Sequence, residues 1–147
     1  MAARRMIALI GTMLLAAQLS PPLPAQIRSA RGPLVKDEVA RVSLKNAGLV
    51  IHGYRFVRPA RIMQKNPFGD GGPSLQVDIA NEGTTPEDFG LVVALFDREG
   101  RLVGAGTGDH TGKLDPGETV QVKVPFKDVN QDAHLATSLQ ISLELKR

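Results

Sequence analysis

The sequence predicts an all-β protein, a single antiparallel β-sandwich preceded by a signal-peptide helix and an N-terminal extension. Three observations predict it. Four segments after Gly48 alternate apolar and polar residues with period two. Clusters of Gly, Pro, Asn and Asp separate those segments. No stretch after Gly48 carries a helical period. The length of 147 residues suits one domain, and 42% hydrophobic with 22% charged residues excludes wholesale disorder.

Met1–Ala25 reads as a secretory leader. Arg4 and Arg5 supply the positive start, and Met6–Leu19 is almost uninterruptedly apolar. Ser20–Ala25 then breaks the helix and offers small residues for cleavage between Ala25 and Gln26. An apolar run of about 14 residues is short of the ~20 that span a bilayer, so an uncleaved anchor is the weaker reading. Residues 26–48 form an extension whose order the sequence leaves open. Leu34, Val35, Val39 and Val42 fit helical spacing, whereas Val42 and Leu44 suit a short strand.

The sandwich is expected over residues 49–147. Val50, His52, Tyr54 and Phe56 share one face of the first strand, which ends before Pro59. Asn66–Pro73 is a loop by composition. Leu75, Val77 and Ile79 face one way in the next strand, and Asn81–Pro86 turns the chain. Leu91–Phe96 is continuously apolar, as for a strand covered on both faces. Asp97-Arg98-Glu99-Gly100 is a hairpin turn, with Gly100 placed for positive φ, and Arg101–Ala105 returns. Gly104–Asp109 reads as a flexible strand end. After Leu114-Asp115-Pro116-Gly117, the strands around Val120–Val124 and Leu139–Leu145 complete the set. A mature chain of about 120 residues buries roughly two thirds of its unfolded surface, enough for one core without disulfides.

Within this pattern, Leu75–Val124 resembles a family of extracytoplasmic immunoglobulin-like modules named for Phe-x-Leu-Tyr-Asp (FxLYD). The matching run is Val93-Ala94-Leu95-Phe96-Asp97, with Val93 where the family often has Phe and Phe96 in place of Tyr. Asn81-Glu82-Gly83, the Asp97–Gly100 hairpin with Arg101-Leu102-Val103, and Pro116-Gly117-Glu118 accompany it. The resemblance covers about fifty residues and implies an immunoglobulin-like sandwich. Its markers Val93, Leu95, Phe96, Asp97, Gly100, Pro116 and Gly117 belong to the fold, and it implies no catalytic residue.

The chemistry offered by the chain is sparse. Without cysteine there is no disulfide, zinc–thiolate cluster or thiol nucleophile. His52, His110 and His134 lie far apart in sequence, and none makes a local metal-binding pair. The spacing of His52 and Met63 echoes half of a copper-carrier pattern, but Thr85 stands where a second His would be needed. Asp128–Asp132 begins like a calcium loop, yet Ala133 and Leu139 occupy the places of its Gly and Glu. Asp109-His110-Thr111 are adjacent on an extended chain and point apart, so they cannot form a triad. The glycines of Gly104–Asp109 open no helix and cradle no phosphate.

Removing the leader leaves 16 basic and 15 acidic residues, a formal net of +1. Residues 26–65 carry +7 and 66–147 carry −6, two halves whose charges neutralise each other in one fold or leave a basic arm for an anionic surface. With 4% aromatics, nucleic-acid binding is not expected. The expectation is an exported, non-enzymatic binding or assembly module in the bacterial periplasm or secreted. It acts through loops or edge strands on another exported or envelope protein. The edge candidates are Val50–Phe56 and Leu139–Leu145. No cofactor and no stable membrane span after cleavage are expected. The alternative is a small-molecule or metal carrier using His52, His110 and His134 with Asp109.

Overall fold

A computed structural model describes residues 27–35, 37–57, 73–126 and 134–146. The leader, the Ala25–Gln26 cleavage point, the Asn66–Gly72 loop, Met63 and the Asp128–Asp132 run lie outside them. Among the described residues eight strands form two four-stranded antiparallel sheets, and this part of the chain is all-β as expected. The first sheet orders β1 (Ile27–Pro33), β8 (Ser138–Lys146), β5 (Asp88–Phe96) and β6 (Leu102–Asp109). The second orders β2 (Val39–Asn46), β3 (Leu49–Val57), β4 (Ser74–Asn81) and β7 (Thr119–Pro125).

Alternation decides what lies between the sheets. Phe89, Leu91, Val93 and Leu95 of β5 pack with Leu139, Ile141 and Leu143 of β8 against Ile51, Tyr54, Leu75, Val77 and Ile79. Burying each such aliphatic or aromatic side chain contributes about 1.5–3 kcal/mol, and together they are the main favourable term in folding. Across the core, the Tyr54 hydroxyl donates to the Pro33 carbonyl at 2.6 Å. Burial pushes the Tyr54 hydroxyl pKa upward.

The structure changes four parts of the sequence reading. Residues 27–46 contribute β1 and β2, so the sandwich begins at Ile27. In β3 the pairing with β4 passes from Ile51↔Ile79 to Gly53↔Asp78, which makes His52 an extra residue. This bulge inverts the phase: Ile51, Tyr54 and Phe56 point inward and His52 points out. β5 lies mid-sheet but is covered on one face only, with Val92 44% exposed. Gly104–Asp109 is not a loose end but most of β6. Its glycines face inward because Cβ atoms at Gly106 and Gly108 would press on the Pro125 and Lys123 carbonyls of β7.

Candidate interaction surface

Three turns are held by two buried polar side chains, Asn81 and Asp97. Fully buried Asn81 donates from Nδ2 to the Thr85 and Leu114 carbonyls, both at 2.8 Å, and accepts from the Gly83 amide at 2.9 Å. The Gly117 amide donates to the Asn81 carbonyl at 2.7 Å, with Gly117 at φ +85°. Asn81-Glu82-Gly83 and Leu114-Asp115-Pro116-Gly117 are thereby tied to each other. At the opposite end, buried Asp97 accepts from the Arg101 amide at 2.8 Å and from Arg101 Nε at 2.7 Å. Gly100 supplies φ +78° and its amide donates to the Asp97 carbonyl at 3.1 Å. Burial pushes the Asp97 carboxyl up, but hydrogen bonds from the Arg101 amide and guanidinium, the Arg101 charge and the Glu99 amide outweigh it. The group therefore sits below its ordinary carboxylate value. Val93 and Leu95 are core residues, and Phe96 is half-buried on the outer side under the Arg31 guanidinium, 5.4 Å from its ring centroid.

The candidate ligand residues are not gathered. His52 on the β3 bulge faces Glu82, Nε2 to Oε1 3.3 Å, and Lys45 Nζ lies 3.5 Å from the other Glu82 oxygen. His110, just past β6, stacks on Phe89 with centroids 6.0 Å apart. His134 begins the short turn before β8. Asp109 turns to the outside, its Oδ2 3.5 Å from Lys146 Nζ. Among the described residues no group of three His, Cys, Asp or Glu side chains could hold a metal ion. A shallow cavity of about 260 Å³ adjoins Lys146, lined also by Gly90, Val92, Thr107, Asp109 and Glu144.

The edge strands are also not those expected. β3 lies between β2 and β4, and β8 between β1 and β5, so Val50–Phe56 and Leu139–Leu145 are interior. Alternation in sequence marks a strand with one buried face, which an interior strand such as β8 shows more clearly than an edge. The edges are β1 and β6 in the first sheet, β2 and β7 in the second.

Register then defines the outer faces, because directly paired residues project to the same side. On the first sheet, three successive outer rows of β8, β5 and β6 are Ser138–Phe96–Leu102, Gln140–Ala94–Ala105 and Ser142–Val92–Thr107. None of these nine residues is charged, and Leu102 is 61% exposed. At the β1 side, Ser29 and Ser142 share a hydrogen bond of 2.8 Å and Arg31 Nε donates to Gln140 at 3.0 Å. The outer rows of the second sheet instead hold Arg41, Asp78 and Gln121, then Arg55, Gln76 and Lys123. Sequence reading missed Val92 because Leu91–Phe96 is apolar at every position, which hides its exposed side. Among the described residues no helix is long and apolar enough to cross a membrane. Comparison with family models, curated proteins and solved structures gives no match.

Proposed function

We propose that this chain is an exported, non-enzymatic binding or assembly module that engages another exported or envelope protein. The observation that carries the reading is the uncharged patch made by three outer rows of β8, β5 and β6, with Val92 and Leu102 standing exposed on it. Charge depletion with exposed apolar residues is the composition of the centre of a protein interface. The buried polar groups Asn81 and Asp97 hold turns, so the face sits on a rigid frame.

We further infer kinship with the FxLYD modules. The neighbouring of β4 with β7 in one sheet, and of β5 with β8 in the other, supports it, since immunoglobulin sandwiches pair their B with E and C with F strands in this way. Beside β8, where such a domain carries its closing strand, lies β1. The family markers Asp97, Gly100 and Gly117 serve as turn residues, in keeping with their role as fold markers.

The test is cross-linked affinity capture of the protein from the exported fraction. The wild type recovers a discrete partner, Val92→Glu reduces recovery about tenfold, and Lys123→Glu on the other outer face leaves it unchanged. A protein recovered alone, or equal recovery by all three, overturns the reading.

A further inference from the structure

We propose that β1 is the docking edge for an extended acidic segment of the partner protein, which joins the first sheet beside β1 as an added strand. The proposal rests on the binding-module reading above and names the kind of partner it takes.

Strand addition needs a continuous, accessible edge. The other three edges do not provide one. β6 loses register with β5 between Leu95 and Phe96, and β7 leaves only three of its seven residues exposed and ends on Pro125, which has no amide to donate. β2 loses register between Arg41 and Leu44, which interrupts its ladder. β1 alone combines an unbroken register, Ile27↔Glu144 to Pro33↔Ser138, with exposure of five of its seven residues. Among the described residues its only hydrogen-bonded neighbour strand is β8.

Charge selects the occupant. β1 carries Arg28 and Arg31 and no acidic residue. Among the described residues neither of them forms an ion pair. Pairing β1 with β1 of a second copy would bring four guanidiniums into one ladder, and like charges across strands destabilise. Arg28 shares the side of its partner Leu143 and Arg31 the outer side with Gln140, so a segment alternating acidic and apolar residues meets one or the other with opposite charge, according to its register. Main-chain hydrogen bonds would supply affinity and the arginines the choice of partner.

The experiment follows amide hydrogen exchange of the exported protein with two synthetic peptides, one alternating Val and Glu, the other Val and Lys. The Val/Glu peptide slows exchange in residues 27–33. Arg28→Glu with Arg31→Glu weakens it about tenfold and transfers preference to the Val/Lys peptide. Protection elsewhere, equal protection by both peptides, or loss of phosphatidylglycerol-vesicle binding in the double variant with no peptide effect overturns the proposal. Capture of a partner on the Val92 face with β1 unprotected overturns this proposal alone, whereas capture of none overturns the reading beneath it.

Discussion

Where β6 meets β7, backbone lies on backbone; where β1 meets β2, side chains span the gap. On the first side, glycines at alternate inward positions bring the two strands close enough for Cα atoms to approach carbonyls. On the second, Tyr54 reaches from β3 to the Pro33 carbonyl and arginines line the rim. One flank therefore has no space between its sheets for an added side chain, whereas the other is held by an aromatic ring and its hydroxyl. The difference shows how one sandwich closes its two flanks by different means.

The comparison breaks most severely at Gly106. Gly106→Val sets a branched side chain against the Pro125 carbonyl, Phe126 and Val124, and is expected to cost about 3 kcal/mol in chemical denaturation. An equal midpoint for variant and wild type would show that the β6/β7 flank is not sealed by close approach. Next in size, Tyr54→Phe removes the bond to Pro33 and is expected to cost about 1–2 kcal/mol. Its accompanying sign is faster amide exchange in β1 with β6 unaffected; uniform acceleration across both flanks would contradict it.

Asp97 sharpens the comparison through pH. Its folded pKa is lowered, so its contribution to stability is full above the ordinary value of about 3.9 and is lost as pH falls through the folded value. Denaturation of the wild type and Asp97→Asn should therefore differ at neutral pH and converge in acid. A constant difference would remove the carboxylate from the β5–β6 hairpin's stability. Smallest of all, Arg28→Glu should move stability by less than about 0.5 kcal/mol, since Arg28 is exposed, whereas Arg31→Glu should cost about 1 kcal/mol through its contacts with Gln140 and Phe96. A larger loss from Arg28→Glu would make that arginine structural.

How much of this the sequence discloses depends on how local each feature is. The Asp97–Gly100 hairpin is readable because its hydrogen bonds and its positive φ are set within five residues. The facing of Leu75, Val77 and Ile79 is readable because β4 alternates without interruption. The phase of β3 is not, because the His52 bulge exists only against β4. β1 leaves no pattern at all: Ile27-Arg28-Ser29-Ala30-Arg31 is an edge with little to bury, so nothing selects alternation. The order of strands is equally hidden, since partners such as β1 and β8 stand at opposite ends of the sequence. The exposed Val92 and the docking edge share these two causes.

The pairing of β1 with β8 also sets a timetable. Ile27 finds Glu144 only after the whole intervening polypeptide has been delivered, and closing so long a loop is entropically costly and slow. For a chain emerging N-terminus first, the opening strand has no sheet to join until the last residues arrive. β1 therefore waits as a lone strand, while β2, β3 and β4, neighbours both along the chain and within their sheet, have their partners at hand much earlier.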